Sequence, residues 1–433
     1  MSQRTLRLAL IVLAVLVVAG GAVLLKLRLF SATPAAQQTP DTDPAAVEQA
    51  RVKQQLDAMI AETKSGVAAD PKNPDAHFRL AQAYAAANNL EEAIASLKRC
   101  LDLDPKYIDA HLALGQMYQE LGYFDRAHDH LQAALDLQPN NVGALVAMGE
   151  LFFRFADGYA PMPYLLHAEQ LASQASADNQ VTIQMDLTMA YYLQTDFKSA
   201  QAHIEKAVQL APDNALAMQR LGVLYYSTNQ FAQARDALQR VLTMSQDSEQ
   251  QIEARKSLAK VELRDPKGSP QEAMTWLQQL SSAGYSDAEM EFLVGEAYRR
   301  QNQPQEAIKH YEIAVGGKTP YPDAYRPLAE LYRQMGRKAD ADQLASRVSS
   351  SETASTALRD LSARIARNPK QPELWLRLAD ALHQQGLDGY SIFYLRRGLA
   401  FNPGDKRLHR ALADRYTSVG RGADAERERA AAQ

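Results

Sequence analysis

Two consecutive stretches decide the fold: Pro74–Tyr107, PDAHFRLAQAYAAANNLEEAIASLKRCLDLDPKY, and Ile108–Asn141, IDAHLALGQMYQELGYFDRAHDHLQAALDLQPNN. Each is 34 residues long, and their landmarks coincide. Leu80-Ala81 aligns with Leu114-Gly115, Tyr84 with Tyr118, Ala93 with Ala127, and Pro105 with Pro139. The first column recurs at Met148-Gly149, Leu187-Thr188, Leu221-Gly222, Val294-Gly295, Leu328-Ala329, Leu378-Ala379 and Leu412-Ala413. Four residues beyond each lie Phe152, Tyr191, Tyr225, Tyr298, Tyr332, Leu382 and Tyr416. Thirteen beyond lie Ala200, Ala234, Ala307, Ala341, Ser391 and Ala425, and the third unit alone lacks this member. Pro212 and Pro403 close two further units.

Side-chain geometry gives these columns a meaning. Residues i and i+4 share one helix face, so the Leu and the aromatic form a single apolar edge. The small residue between them admits a second helix at close range, and that helix offers its own alanine. Asn88-Asn89, Gly122, Thr195-Asp196, Asn229, Asn302, Gly336, Gly386 and Gly420 mark the turn between the two helices. Proline ends the second helix. One such hairpin cannot bury its apolar face alone, so the units must stack.

This pattern resembles the tetratricopeptide (TPR) repeat over roughly residues 70–429. The resemblance implies an all-α solenoid, a right-handed superhelix of helix hairpins whose concave wall, lined by the first helices, binds peptides or helices of other proteins. The expected organisation is a capping helix over 44–69, five units over 70–248, a degenerate repeat over 249–287, units 7 and 8 over 288–355, and an added helix with the C-terminal units over 356–433. The third unit is longer than the rest and carries an insertion at 157–163. Ala273, Trp276, Leu277 and Leu280 suggest the degenerate pair, and Thr356–Asn368 reads as the added helix.

The N-terminus is different in kind. Leu6–Leu25, LRLALIVLAVLVVAGGAVLL, holds one charge, Arg7. Twenty helical residues span about 30 Å, a bilayer's hydrocarbon thickness, so residues 1–30 read as an uncleaved transmembrane anchor in contact with lipid through residues 6–25, with a cleaved secretory signal as the alternative. Arg4 and Arg7 before the run and Lys26 and Arg28 after it nearly balance, so charge alone does not orient it. Ser31–Asp43 reads as a flexible linker. Anchor and tether together predict a single-pass protein of a bacterial inner membrane, with its repeats in the periplasm.

Over all 433 residues, 46% are hydrophobic and 23% charged, with a net charge of −4, which disfavours a cationic nucleic-acid binder. Charge is nonetheless uneven: residues 70–141 hold 11 acidic and 6 basic side chains, and residues 322–433 hold 14 acidic and 19 basic. A dipolar array of this kind can orient partners or associate with itself. The single cysteine, Cys100, forms no intramolecular disulfide framework. Gly317-Lys318-Thr319 lacks the earlier glycine of a phosphate loop, since Glu312 stands there, and Ser257-Leu-Ala-Lys260 lacks the companion motifs of acyl-transfer enzymes. His130, His203 and His310 share one repeat position in distant units, and no metal-ligand spacing occurs. Anchor, linker and repeats consume nearly the whole chain. The sequence therefore predicts no enzyme, cofactor, metal or small-molecule substrate.

If the resemblance holds in phase, the groove is lined in units 3 to 5 by Val146, Phe153, Met185, Met189, Tyr192, Val223 and Tyr226. Methionine and tyrosine adapt well to peptide surfaces. In units 7 and 8 the same face carries Arg299, Arg300, Arg326 and Arg333, suited to gripping carboxylates. The expected function is a non-catalytic scaffold assembling or recruiting an envelope complex. The alternatives are an accessory subunit of one envelope machine (cytochrome c maturation, pilus or polysaccharide export) or a cytoplasm-facing membrane adaptor.

Overall fold

The computed structural model describes residues 44–153, 158–317 and 320–433, and these fold into helices without strands. Helix α1 (Pro44–Ala69) precedes a series of pairs. The first three are α2 (Pro74–Ala86) with α3 (Leu90–Leu103), α4 (Ile108–Glu120) with α5 (Phe124–Leu137), and α6 (Val142–Phe153) with α7 (Met162–Gln170). Then come α8 (Ala177–Leu193) with α9 (Phe197–Leu210), α10 (Ala215–Ser227) with α11 (Phe231–Met244), and α12 (Ser248–Arg264) with α13 (Pro270–Ser282). The last four are α14 (Ala288–Arg300) with α15 (Pro304–Gly316), α16 (Tyr325–Gln334) with α17 (Lys338–Arg367), α18 (Pro372–Gln384) with α19 (Asp388–Phe401), and α20 (Lys406–Ser418) with α21 (Gly422–Ala431). Each helix packs on the next, and neighbouring first helices touch one another from α4 through α14 and again between α18 and α20.

The repeated columns perform the packing that their chemistry suggests. A Cβ built on Gly115, Gly149, Gly222 or Gly295 would lie 2.6–2.7 Å from Leu131, Leu165, Leu238 or Tyr311 of the paired second helix. Only a small residue allows that approach. Ala93, Ala127, Ala200, Ala234, Ala307, Ala341, Ser391 and Ala425 are all fully buried. The aromatic column has a second role through its backbone. The carbonyls of Tyr84, Tyr118, Tyr191, Tyr225, Tyr298, Tyr332, Leu382 and Tyr416 each accept an N–H five residues on, at 2.8–3.0 Å. This closes each first helix with a Schellman turn, which needs a left-handed residue just before the donor. Asn88, Asn229, Asn302 and Thr195 take φ of 59–62° there, and Gly122, Gly336, Gly386 and Gly420 take 74–78°.

Side-chain caps start many of the helices. Asn73, Ser176, Asp196, Asn214, Asp247, Ser269, Asp287 and Asp405 each accept an N–H of the first turn. His77, His111 and His409 occupy one further column, and there each ring Nε2 meets the carbonyl six residues back, at 3.0–3.1 Å. The Trp375 Nε1 donates in the same way to the Pro369 carbonyl.

One expectation changes. The boundary expected at 355/356, with a separate helix over Thr356–Asn368, is absent because Lys338–Arg367 forms one 30-residue helix. No glycine or proline occurs within it, so nothing interrupts the hydrogen-bond ladder. Helix α15 ends at Gly316 and is followed by Gly317 in extended conformation (φ −78°, ψ 177°). The expected anchor at Leu6–Leu25, the linker Ser31–Asp43 and Lys318-Thr319 lie outside the described residues. Among the described residues no helix is long and apolar enough to cross a membrane.

The array also returns on itself. Helix α19 packs on α5, more than 250 residues earlier in the chain. Tyr390 stacks on Phe124 with centroids 4.1 Å apart, and Phe393 meets Phe152 at 5.6 Å. Asp125, only 3% exposed, accepts a hydrogen bond from Arg421 at 2.7 Å, while Arg396 reaches both Asp129 oxygens at 2.8 and 2.9 Å. Asp125 and Asp129 of the acidic early repeats thus pair with Arg396 and Arg421 of the basic late repeats within one chain.

Candidate partner-binding face

On the first helices of units 3 to 5, α6 touches α8 and α8 touches α10. Phe153, Met189, Tyr192, Val223 and Tyr226 are half-exposed along this face. Two expected members are corrected: Val146 and Met185 are only 8% and 7% exposed, drawn into the packing between neighbouring first helices. The tyrosines are partly engaged. The Tyr192 hydroxyl lies 3.0 Å from Ser227 Oγ, and its ring meets Phe197 edge-on. Tyr226 contacts Phe231 and carries the Arg264 guanidinium 4.9 Å from its centroid. They brace adjacent units and still leave part of each ring to solvent. The third-unit insertion closes one end of the face: Gly158 abuts Ala190 and Leu193, and its carbonyl accepts a hydrogen bond from Gln194. A Cβ at Gly158 would sit 2.5 Å from the Ala190 oxygen, so only glycine fits there.

Three charged residues of this face were absent from the sequence-level expectation. Asp186 on α8 is 4% exposed, its Oδ1 is 3.9 Å from Arg220 on α10, and its Oδ2 has no hydrogen-bond partner. Arg220 instead donates to the Met185 carbonyl at 3.1 Å. Glu150 on α6 faces the same pair. Burial, together with the Glu150 charge, pushes the Asp186 carboxyl well above the usual carboxylate range. Burial also raises Glu150, against the pull of Arg220. A signal existed in the columns: Asp186 stands where the second and third units have Ala113 and Ala147, and Glu150 stands where the fourth and fifth have Met189 and Val223.

In the later units the expected arginines do not form one patch. Arg299 is exposed and paired with Glu296 on its own helix. Arg300 is corrected outright: its guanidinium is directed to the carbonyls of Glu262, Asp265 and Gly268, so it holds the loop after α12. Arg326 and Arg333 are exposed.

The shared histidine position serves packing. His130, His203 and His310 stack on Tyr118, Tyr191 and Tyr298 of their own units at 5.3–5.6 Å. Burial lowers His130, to about 4, and also lowers His203. Cys100 is buried, and burial pushes its thiol up to about 11, away from thiolate reactivity. Among the described residues no group of His, Cys, Asp and Glu is arranged to hold a metal ion.

Sequence profiles of tetratricopeptide repeats match residues 57–99, 81–122, 108–141, 191–261, 258–324 and 293–351. Among curated proteins no match is found. Several solved structures are similar. PilF of Pseudomonas aeruginosa is 21% identical over 50% of this chain and 95% of its own, with a TM-score of 0.42. YrrB, described as a TPR protein with an unusual peptide-binding site, is 19% identical over 43% of this chain and 94% of its own, with a TM-score of 0.34. A human IFIT1 dimer with PPP-AAAA is 17% identical over 83% of this chain and 90% of its own, with a TM-score of 0.43. These likenesses are of the helical repeat and carry no argument about activity. With repeats recognised in both halves of the sequence and helix hairpins stacked through the structure, the chain is a tetratricopeptide-repeat protein.

Proposed function

We propose that this protein is a non-catalytic scaffold that captures another protein on the first-helix face of units 3 to 5, at a bacterial inner membrane and with its repeats in the periplasm. One observation carries the reading: Phe153, Met189, Tyr192, Val223 and Tyr226 remain half-exposed on three first helices in mutual contact. A contiguous apolar strip on a repeat array is the usual mark of a protein-binding surface. The membrane location is supported by the apolar run Leu6–Leu25 and the tether after it. Recruitment of an envelope complex is the role such a tethered array would fulfil.

The test is affinity capture from detergent-solubilised membranes, comparing the full-length chain with a Met189→Glu, Val223→Glu double variant. The reading expects one stoichiometric partner on the unaltered chain and its loss from the variant, with helical content unchanged by circular dichroism. Equal capture by both would overturn it.

A further inference from the structure

The late repeats do more than end the array. Leu361, Trp375 and Phe393 belong to the same buried apolar cluster as Leu114, Phe152 and Ile183. Units 7 and 8 lie between these segments in the chain, yet they have a cluster of their own around Tyr311 and Leu328. Among the described residues, the core of the C-terminal units is thus continuous with that of units 1 to 4 and separate from that of units 7 and 8. The join is closely fitted. A Cβ on Gly389 would lie 2.6 Å from the Gly122 carbonyl oxygen, so the start of α19 meets the turn between α4 and α5 backbone to backbone.

Helix α6 takes part both in this join and in the proposed partner face. Phe152 is fully buried, meets Phe393 of α19 at 5.6 Å and has the Arg397 guanidinium 4.5 Å from its ring centroid. The next residue, Phe153, is half-exposed on the partner strip, and α6 touches α8, which carries Met189 and Tyr192. Successive residues of a helix point about 100° apart, so α6 turns one ring to the late repeats and the next to the strip. Packed helices move as bodies and do not deform residue by residue, so whatever holds Phe152 also sets Phe153.

We infer that the C-terminal units are a clamp: docked on α5 and α6, they hold the partner face in its binding geometry, so that docking and partner capture favour each other. The inference rests on the reading of the first-helix face as the partner site, and adds how that site is regulated. Docking leaves Phe153, Met189 and Tyr192 half-exposed, so the docked form is the competent one and not a covered one. Linkage makes the effect mutual, because a docked state that raises affinity for the partner is itself stabilised by the partner to the same degree.

The experiment compares the full-length chain with a Tyr390→Ser, Arg396→Glu variant. Both side chains are partly exposed on α19 and reach across the join, to Phe124 and to Asp129, so the changes attack docking and spare the core. Amide hydrogen exchange of α6 (residues 142–153) is read on the purified proteins in detergent, and a photo-crosslinking amino acid at Met189 is read in cells. In the variant, α6 amides should exchange about tenfold faster while those of α15 keep their rate. The yield of the Met189 adduct should fall at least about fivefold. Reversing the ion pair, with Asp129→Arg added to Arg396→Glu alone, should bring both readouts back toward the unaltered chain. Equal α6 exchange and equal adduct yield in variant and unaltered chain would overturn the inference, and so would a higher yield in the variant, which would make the late repeats an inhibitor. No Met189 adduct from the unaltered chain would instead sink the reading of the partner face itself.

Discussion

At the scale of single residues, the turn after each first helix is where sequence and geometry correspond most directly. The 6→1 hydrogen bond demands one left-handed residue at a fixed offset, and Asn and Gly supply it at seven of the eight turns that follow the aromatic column. Thr195 is the exception. A β-branched residue at φ 62° is strained, so Thr195→Gly should stabilise the fold by about 1 kcal/mol, read as a higher midpoint in urea unfolding. An unchanged or lower midpoint would mean that the Thr195 hydroxyl, which donates to the Gln194 carbonyl, offsets the strain. These turns were legible from sequence because their requirement is local. The orphaned Asp186 oxygen was not legible in the same way. The sequence shows a charge replacing alanine in one column, but only the packing of α6, α8 and α10 reveals that the charge is buried and underpaired.

Among helices and their pairs, the sixth unit shows how a repeat survives the loss of its signature. Helices α12 and α13 lack the column residues, yet Ala259, Ala273, Leu277 and Leu280 are buried against Met290 and Leu293 of α14. The same join holds an ionic cluster. Lys256, 3% exposed, is hydrogen-bonded to Asp287 at 3.2 Å and Glu289 at 2.6 Å, with Glu253 at 2.7 Å. Burial acts to lower the Lys256 pKa, but hydrogen bonds to Glu253 and Glu289 outweigh it and the ammonium is raised overall. Lys256→Ala should cost about 1–3 kcal/mol, because it removes a buried ammonium shared by three partly exposed carboxylates, of which Glu289 keeps Lys260. Lys256→Met with Glu289→Gln should recover much of that loss, and equal destabilisation in single and double variants would show the cluster is not a unit. The columns could not announce this cluster, since it replaces the apolar contact that the columns encode. Helix α17 differs from expectation for a related reason: Leu328 and Leu378 lie 50 residues apart rather than 34, which suggests a new helix between units, whereas an unbroken sequence without Gly or Pro simply prolongs the old one.

At the level of the whole molecule, the early and late repeats meet. Their opposite charge was visible in the sequence, but which residues pair depends on how far the array turns per unit, and that is a sum over many small packing angles. The outcome is Asp125 gripped by Arg421 and approached by Arg396 at 3.7 Å, with aromatic contacts beside it. Asp125→Ala leaves two guanidiniums facing a gap, and should raise the radius of gyration in small-angle scattering while helical content persists; an unchanged radius would place closure in the Phe124–Tyr390 stacking instead. His128 reports on the same contact. It lies edge-on to Phe393, and burial lowers its pKa to about 4, from a usual value near 6.5, helped by Arg397. The folded state therefore favours the neutral ring. Its contribution is full above about pH 6.5 and is lost as pH falls toward 4, so the closed form should loosen over that interval and His128→Leu should flatten the response.

The proposed partner surface is the first-helix face of units 3 to 5. The most direct measurement places a photo-crosslinking amino acid at Met189 in the full-length protein in cells, with a matched label at Leu210, an exposed residue at the end of α9. The account predicts one discrete crosslinked protein from position 189 and none from position 210. Crosslinks from 210 alone, or the same products from both positions, would contradict it.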